Sequence, residues 1–196
     1  MSLEGIRGRL AARRSSLAHR VEATAALVKE KPGPWLIWCG LNAEQDALAT
    51  ALDGESMVSV AGHQTTEEKK ANILRFLRGD ARIMLTKAKV AGFGLNFQHC
   101  RQMAFVGLSD SYESYFQCIR RCYRYGQQMP VHAYVIVSQG EQPIVTNVRR
   151  KEVEATTMAR TLVEHMAEME REELGTTKRQ LLDYAPVKSL EVPTWL

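Results

Sequence analysis

Five short apolar runs set the terms for the fold: "WLIWCG" (35–40), "MVSVAG" (57–62), "ARIMLTK" (81–87), "QMAFVGL" (102–108) and "VHAYVIVS" (131–138). Each is continuously apolar rather than alternating, as strands buried on both faces are. Helical periodicity fills the spaces between them. Residues 5–30 carry Leu10, Leu17, Val21, Ala25 and Val28 at helical spacings, interrupted by Arg13, Arg14 and Arg20, until "KPGPW" stops the pattern. A second helix is expected from Asn42 to Leu52, and a third from a Thr65 or Thr66 cap to Leu77. A long one is expected over 142–174, with Ile144, Val148, Ala155, Leu162, Met166 and Met169 as candidate buried positions. Strands separated by helices predict an α/β protein, an open and mainly parallel β-sheet with helices on both faces. Helical extensions flank it at both ends, and the last twenty residues, with Pro186 and Pro193, read as an extended tail.

In open parallel sheets the working residues gather beyond the carboxyl ends of the strands. That rule points to "TKAKVAGFGLN" after the third strand, "SDSYES" after the fourth and "GHQTT" after the second. Just beyond "SDSYES" lies "QCIRRCYRYGQ" (117–127), where three arginines crowd into eight residues ahead of a glycine. Taken as a helix at about 100° per residue, the segment puts Gln117, Arg121 and Arg124 within an arc of roughly 60°, with Arg120 at its edge. Phe116, Cys118, Ile119, Cys122 and Tyr123 fall on the other side. One face is apolar, for docking; the other presents guanidinium groups, which by residue type alone suit either solvent or an anion.

Composition adds limits. With 26 basic and 22 acidic residues, the net charge of +4 favours an anionic partner only weakly. No apolar run approaches the ~20 residues of a membrane span, and the Arg-rich start lacks the apolar stretch of a signal peptide, so no membrane partner and a cytoplasmic location are expected. The opening Met1-Ser2-Leu3 reads as an added scar, with the natural protein continuing upstream. Cys39, Cys100, Cys118 and Cys122 form no CxxC pair and are expected as reduced, buried thiols rather than metal ligands. Nowhere does the chain contain GxxxxGK[ST], the loop that cradles nucleotide phosphates, nor an Asp-Glu pair at a strand end suited to magnesium. If this domain handles ATP, it does so with a second partner.

Taken together, "WLIWCG", "VAGHQTTEEKKANILRFLRG", "IMLTKAKVAGFGLNFQHC" and "SYESYFQCIRRCYRYGQ" resemble, in order, the C-terminal RecA-like lobe of superfamily 2 helicases, closest to the SNF2-type DNA-dependent ATPases and their short phage and prophage versions. The resemblance spans roughly residues 20–140. Its most specific piece is the family's sixth motif, matched by Gln117, Arg121, Arg124, Gly126 and Gln127. The fifth motif appears as Gly92-Phe93-Gly94-Leu95-Asn96-Phe97, with Ala91 in place of the first glycine of the usual pair, and "GLSDSYES" replaces the stretch common before the sixth motif in chromatin remodellers.

The resemblance implies a second motor lobe of an ATP-dependent DNA helicase or translocase. In that reading Arg121 and Arg124 are arginine fingers, with Gln117, Gly92, Gly94 and Asn96 at the nucleotide; Asn96 serves either there or in holding the turn. ATP and Mg2+ are held mainly by a first lobe outside this chain, and this fragment binds no metal. Thr86, Lys87, Lys89, Gly62, His63 and Arg120 are the candidate contacts to duplex or single-stranded DNA. Residues 1–30 become a basic helix or interlobe connection, 31–140 the lobe, 141–175 a helix packing on it, and 176–196 the tail. The alternative is a RecA-like module that binds nucleic acid or protein without catalysis.

Overall fold

The computed structural model describes residue 11 and residues 13–91 and 94–176. Five strands, β1 (Trp35–Cys39), β2 (Met57–Ser59), β3 (Ile83–Thr86), β4 (Gln102–Val106) and β5 (His132–Ile136), form one sheet in the order β2-β3-β1-β4-β5. Every pairing is parallel, so all carboxyl ends share one edge. Helices α1 (Leu17–Glu30), α2 (Asn42–Ala51), α3 (Thr66–Arg78), α4 (Ala88–Ala91), α5 (Tyr112–Ile119) and α6 (Gln142–Thr176) connect or flank the strands.

The continuous apolar runs have a direct cause. Successive side chains in a strand point to opposite faces, and both faces here are covered. Trp35, Ile37 and Cys39 of β1 join Ile83, Leu85, Ala104 and Val106 against Val21, Ala25 and Val28 of α1 and Leu48 of α2. Leu36 and Trp38 join Met84, Met103 and Phe105 on the opposite face, against Phe76 of α3, Cys118 of α5, and Ile144 and Val148 of α6. Each fully buried aliphatic or aromatic side chain contributes about 1.5–3 kcal/mol.

Several boundaries are shorter than the apolar runs suggest. β2 ends at Ser59, because the Ala61 N–H is taken by the Gln64 side chain (2.9 Å) and the chain turns. β5, at the sheet edge, is only half buried. α3 begins as expected after Thr65, whose hydroxyl accepts from the Glu68 N–H (3.3 Å) while the Glu68 carboxylate accepts from the Thr65 N–H (2.8 Å). It stops at Gly79 (φ +83°), in the left-handed conformation that favours glycine.

Two expectations are corrected. "QCIRRCYRYGQ" is not a continuous helix: α5 ends at Ile119, and Arg120 to Tyr123 form turns. Of its presumed docking face, Cys118 and Cys122 are buried; Phe116, within α5, is exposed beside Tyr112, and Tyr123, beyond the helix end, is exposed too. In α6, Ile144 and Val148 are buried as expected, whereas Leu162, Met166 and Met169 are 53–63% exposed; the apolar spacing continues where no described residue covers it. The positions named in residues 1–10 and the tail beyond Thr176 lie outside the described residues.

Candidate nucleotide and nucleic-acid face

The carboxyl edge of the sheet is organised around a buried charge cluster. Arg13, in the helical turn before α1, and Arg20 of α1 both reach Glu44, at 3.0 and 2.7 Å. The other Glu44 oxygen accepts from the Gly40 and Leu41 N–H groups (2.8 and 2.9 Å), so this carboxylate caps α2 from its first turn. Asn42, the expected cap, is instead the first helical residue. Glu141 lies 3.5 Å from Arg13 Nε and 3.6 Å from Arg20 Nε, and its Oε2 accepts from the Ser138 N–H and hydroxyl, both at 2.9 Å. Two cations and two anions thus neutralise each other at the ends of β1 and β4. The Arg13 guanidinium also bonds the Val106 carbonyl (3.2 Å) and fills the space a Cβ would need at Gly40 or Gly107. Gly107 further has φ +77°.

Above this cluster, a hollow at the ends of β1, β3 and β4 is lined by Arg13, Trp38, Lys87, Lys89, Ser114 and Tyr115, among others. A neighbouring hollow is bounded by Lys89, Ser109, Ser111, Ser114 and Gln117. The strand order places them at the sheet's switch point: the chain leaves β1 toward β2 and β3, then crosses to β4 on the other side. Lys87 donates to the Asn42 side-chain carbonyl, while Lys89 is exposed.

The sixth-motif residues form a compact unit. Arg121, 9% exposed, donates from Nε to the Gln117 carbonyl (3.1 Å), from NH1 to the Leu95 carbonyl (3.2 Å) and from NH2 to Gln117 Oε1 (3.0 Å). The Arg121 carbonyl in turn accepts from the Phe97 N–H (2.8 Å). Arg124 is exposed and reaches the same Leu95 carbonyl from NH1 (3.5 Å). Burial, and then the neighbouring Arg124 charge, push the Arg121 pKa down. Neither guanidinium has a carboxylate partner among the described residues, in contrast to Arg13 and Arg20. Gly126 (φ +86°) turns the chain, and Gln127 closes the unit through Nε2 to the Gln98 carbonyl (2.8 Å).

Of the fifth-motif residues, Gly94 has φ +74° and makes a turn only glycine adopts readily. Asn96 Oδ1 accepts from the Gln98 N–H two residues on (3.1 Å), a local bond within the turn. Gly92 lies outside the described residues. Thr86 is fully buried, and its hydroxyl donates to the Val60 carbonyl (3.1 Å), a link between strand ends. Arg120 is exposed, with its guanidinium over the Phe116 ring at 5.8 Å. Gly62 and His63 are exposed at the carboxyl end of β2 and line neither hollow.

By sequence Arg13 and Arg20 read as parts of a basic helix or interlobe connection, not as members of a buried charge cluster. Their seven-residue spacing puts both on one helical face, within about 40° of Thr24, and was the available signal for a shared role.

A parallel five-stranded sheet covered on both faces, with an arginine-bearing turn after its fourth strand, defines a RecA-like lobe. Residues 19–126, more than half of the chain, match the helicase conserved C-terminal domain, and the chain belongs to that family. It is 26% identical over 149 residues to the transcriptional regulator ATRX homolog of Caenorhabditis elegans, covering 74% of this chain but 11% of that protein. Similar folds occur in the C-terminal part of the Fun30 ATPase domain (TM-score 0.59, 20% identity, 66% of this chain and 44% of that one). They occur also in a DEAD box protein from Methanococcus jannaschii (TM-score 0.61, 23% identity, 68% and 37%).

Proposed function

We propose that this chain is the second motor lobe of an ATP-dependent DNA translocase or helicase, completing a nucleotide site whose phosphate-binding loop belongs to a first lobe. One observation carries the reading: among the described residues Arg121 and Arg124 converge on the Leu95 carbonyl without a carboxylate partner, while Arg13 and Arg20 are neutralised by Glu44 and Glu141. Two adjacent cations repel, and an anion placed before them relieves that repulsion. A guanidinium suits a phosphoryl group because its charge is permanent and its planar fork matches phosphate oxygens.

The two arginines divide the work in this reading. Arg121 is held on three sides by the chain and sets the position of the Gln117–Leu95 framework. Arg124, exposed and held by one long hydrogen bond, is free to reach the terminal phosphate when the lobes close. ATP hydrolysis then couples to lobe motion along a nucleic-acid strand, whose phosphates meet Lys87, Lys89 and Arg120 as point charges.

The test is ATP hydrolysis by the gene product containing both lobes, with and without DNA, comparing wild type with Arg124→Ala. A DNA-stimulated rate that falls about a thousandfold with ATP binding retained is the expected result. No hydrolysis in either protein, with DNA binding intact, would favour a non-catalytic interaction module.

A further inference from the structure

The distal part of α6 carries a surface that the motor reading does not use. Ala155, Ala159, Leu162, Met166 and Met169 alternate at spacings of four and three, the heptad rhythm of a helix-pairing seam. With Met158 they fall within an arc of about 100°. Met158 is 75% exposed, and Leu162, Met166 and Met169 are exposed too.

Charge tells what fits there. On one margin of the stripe lies Glu170 and on the other Glu154 and Glu172 with His165, whereas Arg160 and Arg171 lie on the opposite face with Glu164 and Glu168. Over residues 154–172 five glutamates stand against two arginines. A second copy of this helix would bring glutamates to glutamates along the seam, and nucleic acid would meet carboxylates at both margins. Methionines add a side chain that adapts to varied apolar partners.

We infer that residues 154–172 are a docking helix for a basic amphipathic helix of a partner protein, which buries its own apolar stripe on Leu162, Met166 and Met169 and sets Lys or Arg side chains against Glu154, Glu170 and Glu172. The surface selects its partner by charge and holds it by the apolar stripe.

Titration of the full chain with a synthetic Leu/Lys amphipathic helical peptide, and with its Leu/Glu counterpart, tests this by calorimetry. The Leu/Lys peptide is expected to bind and the Leu/Glu peptide not. Leu162→Gln with Met166→Gln should weaken binding at least about tenfold, with circular dichroism unchanged, and Arg160→Ala on the far face should leave it intact. Reversing the margins with Glu154→Lys, Glu170→Lys and Glu172→Lys should exchange the preference of the two peptides, a gain that unfolding cannot produce. Binding that ignores both sets of substitutions would overturn the inference. So would a dimer in sedimentation that Leu162→Gln with Met166→Gln dissociates, since that would assign the stripe to a second copy.

Discussion

Arg121 and Arg124 stand three residues apart and obey different physics. Arg121 is buried with three hydrogen bonds to Gln117 and Leu95, so Arg121→Ala should destabilise the lobe as well as any activity. The loss should be about 1–3 kcal/mol, read as a lower urea midpoint at unchanged slope. Arg124→Ala removes an exposed side chain with one long bond, and should shift the same midpoint by less than about 0.5 kcal/mol. The thiols offer a second check at this scale. All four cysteines are buried and free; burial pushes the Cys118 thiol up to about 12, and burial with the nearby Glu44 charge pushes Cys39 higher still. The thiolate is the reactive form, so at pH 8 a disulfide reagent should label these two only after denaturant is added.

Among the elements, the sheet and its helices were legible because burial on two faces leaves an unmistakable record: β1, β3 and β4 fall within their apolar runs. The sixth motif was legible as residues but not as a shape. Helical periodicity over Gln117–Gln127 is real, yet the chain leaves the helix at Ile119 so that Arg121 can reach back to Gln117 and forward to Leu95, contacts that no local pattern encodes. Thr86 was legible as a strand end, but its hydroxyl's partner on the neighbouring segment was not. The Arg13–Arg20–Glu44–Glu141 cluster was the largest omission, since its members are spread over more than a hundred residues of chain. It makes a sharp prediction. Glu44→Gln would leave two arginines buried against one carboxylate, and should cost about 3–5 kcal/mol in chemical denaturation. Gly107→Ala should also destabilise, because the new Cβ would meet the Arg13 guanidinium at a positive φ.

For the molecule as a whole, the motor reading makes two measurable demands. The 196-residue chain by itself should show negligible ATP hydrolysis, having no phosphate-binding loop in its sequence; robust turnover by the pure chain would refute the assignment. Its affinity for DNA should be weak and fall with salt, and Lys89→Ala should reduce the slope of log K against log salt by about 0.7–0.9. An unchanged slope would remove Lys89 from the contact surface.

The position of β1 also bears on how the polypeptide comes into being. Among the described strands it comes first in the chain, yet it sits in the middle of the sheet and pairs with β3 and β4, whose residues emerge from the ribosome roughly fifty and seventy positions later. Until then "WLIWC" has no edge to join. During synthesis this lobe therefore holds "WLIWC" unpaired longer than its other described strands, and within the lobe a chaperone that recognises short apolar stretches has its longest opening there.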